Sequence, residues 1–235
     1  MLIIEKTETY GWEAAIRGMR NPLNSWNKSD SYFKESNAIE YCNEVCEHKD
    51  DYCKEPCFNV CLGENDQKLM KKLAKAGTDH RKYLRMITVS CDITAPLYWW
   101  KEFDTYKIGT VANSCSTMHK IHAKEFTLDD FSCEHLLIRA LNNLNETIEL
   151  LNMYRDSYIE LKKIGDTSKD AKTIWWQMIQ LLPSSYNQKR TVMLNYEVLA
   201  NIYKSRKNHK LDEWHVVCDW IKTLPCAELI TGEDE

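Results

Sequence analysis

The chain has 235 residues, of which 43% are hydrophobic and 11% aromatic, and this composition allows a sizeable core and excludes a chain that is disordered as a whole. The formal net charge of −4 and the isoelectric point near 6.0 argue against bulk attraction to nucleic acid, so we expect neither DNA nor RNA as a partner. The low content of glycine and proline, 7 and 5 residues, favours long helices joined by short loops.

The first ten residues, MLIIEKTETY, contain an apolar run that is too short for a secretory signal, and no stretch of the sequence is typical of a membrane-spanning helix. We therefore expect a cytoplasmic protein without a membrane partner. In that compartment the 10 cysteines are expected to be free thiols or metal ligands rather than disulfides.

In the N-terminal half, apolar spacing and turn residues distinguish strands from helices. The predicted elements are, in chain order, a strand over 2–10, a short helix over 12–19, a loop over 24–30, a helix over 65–76, a central strand over 83–93 and a helix over 95–103 that starts with Pro96.

In the C-terminal half, apolar residues recur at helical spacing with polar residues opposite them. The predicted helices are 133–163, 169–182, 190–204 and 210–224. Because the strands gather early and the helices late, we predict an α+β fold in which a mixed or antiparallel sheet is flanked by long helices. No linker stands out, so we expect a single domain over 1–235.

Two blocks of the sequence follow each other in an order that points to one family. The first contains Gly-Thr-Asp-His at 77–80, the strand and helix described above, and Asn-Ser-Cys-Ser-Thr-Met-His at 113–119. The second has Leu-Pro at 182–183, followed by Asn195, Asn201 and Arg206. This order resembles the flavin-dependent thymidylate synthases, whose signature is RHRxxSxNExSxRY and whose C-terminal helix carries Leu-Pro, then Asn-x-Arg-x-x-x-(His/Asn) and Arg. The resemblance spans nearly the whole chain, apart from about 32–61.

The resemblance implies the fold of that family and a transferase that adds a one-carbon group to C5 of dUMP or a related pyrimidine nucleotide. In the family a reduced folate supplies the carbon and reduced FAD supplies the hydride, with NADPH as a further expected partner. The family assembles as a homotetramer, so we expect the same here. The alternative is a non-catalytic, nucleotide-binding or regulatory protein that has kept the fold without the flavin chemistry.

Several cations of the family signature are replaced. The RHR triplet becomes Thr-Tyr-Lys at 105–107, so only Lys107 keeps a positive charge, and the later Glu and Arg become Ser114 and Met118. On the C-terminal helix, the Arg of Asn-x-Arg becomes Glu197. We expect this charge reversal to repel a phosphate placed there.

The resemblance implies roles for the positions that match its motifs. Ser116 is the expected catalytic group and also binds substrate. The further substrate contacts are Glu102 and Arg206, and the expected cofactor contacts are Lys107, Asn113, Asn195 and Asn201. Substitute cations for the lost arginines are expected among Lys101, Lys107, His119, Lys120 and His122. Of the adjacent Trp99 and Trp100, we expect one to be core and the other to be able to stack on a ring, because neighbours on a helix do not share a face.

A cysteine-rich insertion occupies about 32–61, where the family resemblance is weakest. A spacing of four residues places thiols on one helical face, so two short helices would present a tetrahedral set of thiolates to a structural zinc ion. Free or oxidised thiols are the alternative. The expected metal ligands are Cys42, Cys46, Cys53, Cys57 and Cys61.

Overall fold

A computed structural model of the chain describes residues 2–33, 60–165 and 169–233. Its strands are β1 (Ile3–Tyr10), β2 (Tyr32–Phe33), β3 (Val60–Cys61), β4 (Thr88–Pro96), β5 (Val111–Ser114) and β6 (Asn187–Asn195). Its helices are α1 (Trp12–Arg20), α2 (Glu64–Lys75), α3 (Leu97–Phe103), α4 (Thr117–Lys120), α5 (Ile138–Lys163), α6 (Lys169–Leu181), α7 (Tyr196–Arg206), α8 (Asp212–Lys222) and α9 (Glu228–Thr231). Among the described residues, every helix is too short or too polar to traverse a lipid bilayer.

The main sheet has four strands in the order β1-β4-β6-β5 and is antiparallel. Along β4, the side chains of Val89, Cys91 and Ile93 are buried, whereas those between them are half-exposed. This period of two is the pattern expected when one face of a sheet packs on a core. The combination of this antiparallel sheet with long helices confirms the predicted α+β class.

The chain divides into two compact units. The first unit comprises residues 1–6, 91–107 and 111–192. In it, α5 packs against α6, and their apolar faces close over a core that includes Phe126, Phe131, Leu151 and Met178. The indole N–H of Trp100 donates to the backbone carbonyl of Gln188 over 2.9 Å, which ties α3 to β6.

The second unit comprises residues 7–90, 108–110 and 193–235. Here α7 is buried on most of its faces, and Tyr196 at its start packs edge-on against Trp12 at 5.4 Å. The short strands β2 and β3 pair antiparallel, with Tyr32 opposite Cys61 and Phe33 opposite Val60. This pairing places residues 33 and 60 opposite each other.

A buried ion pair joins α1 to α2 in the second unit. The Nε of Arg20 lies 2.6 Å from Oδ1 of Asp66, and both side chains are almost fully buried. The second carboxylate oxygen of Asp66 accepts from the hydroxyls of Ser29 and Ser31 and from the N–H groups of Asp30 and Ser31. Burial alone raises the pKa of Asp66, but the hydrogen bonds from Ser31, Ser29, Arg20 and Asp30 outweigh it and hold the pKa below its ordinary value.

Several predicted boundaries need correction. The predicted helix over 190–204 is wrong in its first part, because residues up to Asn195 form β6 and the helix begins at Tyr196. The central strand begins at Thr88, after a 3-10 turn, and runs through Pro96, so α3 begins at Leu97. The helix predicted from residue 133 begins at Ile138.

The other predicted elements agree with the structure more closely. The first strand, α1, α2, α6 and α8 all lie within about two residues of their predicted bounds, which is the usual uncertainty of helix and strand ends. The prediction for the tryptophan pair is only half right. Both Trp99 and Trp100 are fully buried, so neither is available to stack on a ligand.

Candidate functional site

A cavity of about 440 Å³ in the first unit has a predicted site residue, Ser116, in its lining. Ser116, Lys120, Tyr186, Gln188 and Lys189 line it. Ser116 and Lys120 come from the loop and short helix that follow β5, Tyr186 directly precedes β6, and Gln188 and Lys189 belong to β6.

Ser116 sits at the N-terminal cap of α4. Its hydroxyl oxygen accepts a hydrogen bond from the backbone N–H of His119 over 3.1 Å, and its side chain is exposed. Serine is a preferred cap residue because this contact satisfies a helix N–H that lacks an internal partner. In this contact the hydroxyl only accepts, so it keeps its proton and is able to donate it in a hydrogen bond to a ligand. This geometry favours hydrogen bonding to a ligand over nucleophilic activation, which requires a base.

Gln188 holds the loop that carries Ser116. Its Nε2 donates to the carbonyl of Cys115 over 2.9 Å, and its Oε1 accepts from Nε of Arg190 over 3.0 Å. The backbone N–H of Cys115 also donates to the carbonyl of Lys189. Since Gln188 is buried, both ends of its amide need partners, and these bonds supply them.

Lysines and carboxylates both face this cavity. Lys124 pairs with Asp130, and Nζ of Lys189 lies 3.0 Å from Glu5 and 3.4 Å from Asp92. The pKa of Lys189 is raised, chiefly by its hydrogen bond to Glu5. Its charge is thus partly neutralised by the protein, whereas Lys120 presents an exposed ammonium beside Ser116. Ser116 and Lys120 together offer a hydroxyl and a cation to an anionic group.

Tyr186 supplies an aromatic wall. Its ring packs edge-on against Phe131, with 5.6 Å between the ring centroids. Burial raises the pKa of Tyr186, and the nearby charge of Asp130 raises it further. The phenol therefore stays protonated at neutral pH and available as a hydrogen-bond donor.

Three other predicted residues of the first unit do not line this cavity. Lys107 and Asn113 are exposed, the former beyond the end of α3 and the latter on β5. Glu102 is half-buried on α3. The structure therefore brings Ser116 together with residues of β6 that the sequence analysis did not single out, rather than with these three.

The remaining predicted residues lie on or beside α7 in the second unit. Asn195 caps this helix, because its Oδ1 accepts from the N–H of Val198 over 2.9 Å. The guanidinium of Arg206 lies 4.7 Å from the ring centroid of Trp214, in a cation–π contact. Gly109 has a φ of +80°, and a Cβ added to it would come within 2.7 Å of Nδ2 of Asn195, so a glycine is required there.

Arg81 is a charged residue that the sequence analysis missed. Its Nε lies 2.9 Å from Oε2 of the buried Glu197, and its Nη2 donates to Oδ1 of Asn201 over 3.2 Å. The positive charge of Arg81 offsets the negative charge of Glu197, so Glu197 repels a phosphate less than the sequence alone predicts. The only signal in the sequence is that Arg81 directly follows the Gly-Thr-Asp-His segment at 77–80.

Residues around α7 fit part of a flavin site. The Oδ1 atoms of Asn195 and Asn201 are engaged within the protein, and each amide keeps N–H groups that are able to donate to a ligand. Position 197 carries a carboxylate that is paired with Arg81, so it offers no cation to a pyrophosphate. The set therefore fits the hydrogen-bonding part of a flavin site better than its charged part.

The predicted zinc ligands fall mostly outside the described residues. This applies to Cys42, Cys46, Cys53 and Cys57, whereas Cys61 is described and its side chain is exposed. Within residues 2–33, 60–165 and 169–233, no group of three or more His, Cys, Asp or Glu side chains is arranged to hold a metal ion.

Comparison with known proteins gives a fold but no sequence family. No protein-family model and no curated protein matches the sequence. Among solved structures, the chain is similar to thymidylate synthase X (ThyX) from Helicobacter pylori, crystallised with FAD and dUMP. The TM-score is 0.58 and the identity 14%, over 100% of this chain and 98% of that one. It is also similar to the UMP/dUMP methylase PolB from Streptomyces cacaoi, bound with 5-Br dUMP, with a TM-score of 0.53 and 11% identity, over 99% and 95% of the two chains.

A second H. pylori structure of flavin-dependent ThyX, complexed with FAD and dUMP, has a TM-score of 0.57 and 14% identity, over 98% of each chain. At these identities the likeness concerns the fold. The chain therefore has a ThyX-like fold, as the sequence resemblance predicted.

Proposed function

We propose that the chain binds a pyrimidine nucleotide of the dUMP type in the cavity beside Ser116 and, with FAD, transfers a one-carbon group to C5 of the pyrimidine. The observation that carries this proposal is the cavity of about 440 Å³ in which the Ser116 hydroxyl and the Lys120 ammonium face one space. The similar structures, crystallised with dUMP or 5-Br dUMP, support it.

In this proposal the chain's own residues bind and orient the nucleotide. Ser116 donates its hydroxyl proton to a phosphate or carbonyl oxygen while its oxygen accepts from His119. Lys120 offsets the phosphate charge, and the protonated Tyr186 donates at the aromatic wall. Glu102 and Arg206 remain proposed substrate contacts by resemblance.

Bound FAD would supply the hydride. By resemblance its contacts are Lys107, Asn113, Asn195 and Asn201, a reduced folate is the carbon donor, and NADPH is the reductant. We further propose a homotetramer, as in the family. The chain's part is to position the reactants, because the redox chemistry belongs to the cofactor.

A separate observation supports a second candidate function. Glu197 is ion-paired with Arg81, and Arg81 donates to Asn201, at the helix that the resemblance assigns to the flavin. Such internal pairing favours a non-catalytic protein that keeps the nucleotide cavity and has lost the flavin. This protein would be a regulatory binder of pyrimidine nucleotides.

Absorption spectroscopy separates the two functions. Protein incubated with FAD and desalted should retain a flavin spectrum if the first function holds. It should also release tritium from [5-³H]dUMP when NADPH and the reduced folate that carries the one-carbon group are added. Colourless protein that still binds dUMP supports the binding protein. Protein that binds neither FAD nor dUMP contradicts both functions.

A matched pair of variants assigns the nucleotide to the cavity. Ser116→Ala should weaken dUMP binding by about tenfold, as expected for one lost hydrogen bond to a charged group. Ser157→Ala removes a hydroxyl from α5 that donates to the carbonyl of Met153, outside the cavity lining. This control should bind dUMP like the parent, and equal affinities of all three proteins would contradict the assignment.

A further inference from the structure

A second cavity of the first unit, with a volume of about 320 Å³, is distinct from the one beside Ser116. The short helix α4 contributes to both, but with different residues. Thr117 and Lys120 line the Ser116 cavity, whereas Met118 and His119 line the second one. The proposed function uses none of the side chains that line this second cavity, so they call for a separate explanation.

The lining of the second cavity is basic. Within the described part of the chain it includes the side chains of His119, His122, Lys162 and Lys172, and no carboxylate. Nζ of Lys162 lies 5.6 Å from the ring centroid of Tyr158, so this ammonium is held against an aromatic face rather than an acidic partner. A concave surface with only one sign of charge attracts the opposite charge.

Aromatic rings form the rest of the wall. The indole N–H of Trp175 donates to the carbonyl of Met118 over 3.1 Å, which fixes the ring beside α4. The ring of Tyr158 packs edge-on against His122, with 4.8 Å between their centroids. Two anchored aromatic side chains next to cations suit a planar ring that carries a negative charge.

The positive charges near the cavity affect the ionisation of His122. Burial lowers its pKa, and the positive charges of Lys120, Arg155 and Lys162 lower it further. Of these cations, Arg155 is itself paired with Asp156 over 2.6 Å. In addition, Nδ1 of His122 is buried and lacks a hydrogen-bond partner among the described atoms.

We propose that this cavity binds a small organic anion whose phosphate or carboxylate is attached to an aromatic ring. Lys162 and Lys172 contact the anionic group, and Trp175 and Tyr158 contact the ring. His122 becomes protonated as the anion enters, because the added negative charge favours its charged form. The inference rests on the lining of this cavity and does not depend on the proposed function.

Phenyl phosphate is the probe, and the full chain is the protein. The histidine signals are followed by NMR as a function of pH, with and without phenyl phosphate. We expect a rise in the pKa of His122, with no comparable change for His215, which is exposed on α8 and lies beside Asp212. A titration of His122 that phenyl phosphate leaves unchanged overturns the proposal.

Two further probes and two variants refine the test. Phenol lacks the charged group, and inorganic phosphate lacks the ring. Phenol and inorganic phosphate should each bind at least about tenfold more weakly than phenyl phosphate, since each lacks one half of the recognition. The double variant Lys162→Ala/Lys172→Ala should lose at least about tenfold in affinity, whereas Lys163→Ala, on the same helix but outside the lining, should not. Equal binding of all three probes, or equal loss in both variants, overturns the proposal.

Discussion

The cavity beside Ser116 and the polar cluster of Arg81, Glu197 and Asn201 both contain residues that the family resemblance connects with ligands, but they use their polar groups differently. At the cavity, the Ser116 hydroxyl and the Lys120 ammonium face open space. In the cluster, the buried carboxylate of Glu197 is ion-paired with the Arg81 guanidinium, which also donates to the Asn201 amide oxygen. A residue type that matches the family motif therefore does not show whether the residue contacts a ligand. The partners of its side chain in the structure do show this.

From this comparison we expect that changes to charges paired within the protein reduce its stability, whereas changes at the cavity reduce ligand binding. The largest effect is expected at Asp66, the fully buried partner of Arg20. Asp66→Asn should lower the free energy of unfolding by about 4 kcal/mol, because it leaves a buried guanidinium without its counter-charge. Urea denaturation measures this, and a loss below about 1 kcal/mol would contradict the role of the pair.

The ionisation of Asp66 also makes the free energy of unfolding depend on pH. The folded pKa of Asp66 lies below its ordinary value, so its contribution is complete above the unfolded pKa of about 3.9 and is lost as the pH falls through the folded value. Asp66→Asn should therefore flatten the decline in stability below about pH 4. An acid limb of equal steepness in both proteins would show that other carboxylates govern it.

The Arg81 cluster should give the next largest effect. Glu197→Gln leaves Arg81 partly buried without its counter-charge, and we expect a loss of about 2–3 kcal/mol in the free energy of unfolding. The double variant Arg81→Met/Glu197→Leu should recover much of this loss, because it removes both charges together. If Glu197→Gln is as stable as the parent and strengthens FAD binding, the cluster is a ligand site and the comparison fails.

Gly109 tests the packing around Asn195. Gly109→Ala places a Cβ 2.7 Å from Nδ2 of Asn195 at a φ of +80°, so about 1–2 kcal/mol of stability should be lost. The matched control is Gly77→Ala, which also has a positive φ, of +100°, but has no atom within 4 Å of the added Cβ. A smaller loss in the control is expected, and equal losses would mean that backbone strain alone is responsible.

Ser116→Ala should have the smallest effect on stability. Its hydroxyl caps only the four-residue helix α4 and is exposed, so a loss of about 1 kcal/mol or less is expected in thermal unfolding. A loss as large as that of Glu197→Gln would place Ser116 among the internally satisfied groups and remove the contrast between the two regions.

The sequence predicts most of the fold, and its largest boundary error lies at β6. The period of two in Val192 and Leu194 runs directly into the helical spacing of Leu199 and Ile202, with no glycine or proline to separate them. The strand β6 was therefore merged into a helix. The cap residue Asn195 marks the boundary, but an asparagine inside an apolar pattern is a weak signal by itself.

The candidate site is predictable only in part. Ser116 follows from the family motif, whereas Gln188 does not, because it reaches the Ser116 loop by a contact between residues 73 positions apart. Arg81 and Asn201 are separated by 120 positions. Such partners depend on how distant segments meet in the fold, and neither periodicity nor composition records this.

Calorimetric titration of the protein with dUMP tests the central claim most directly. The account predicts saturable binding to one site per chain, weakened about tenfold by Ser116→Ala and unchanged by Ser157→Ala. The absence of binding by the parent protein, or equal binding by Ser116→Ala, would contradict the assignment of the nucleotide to this cavity.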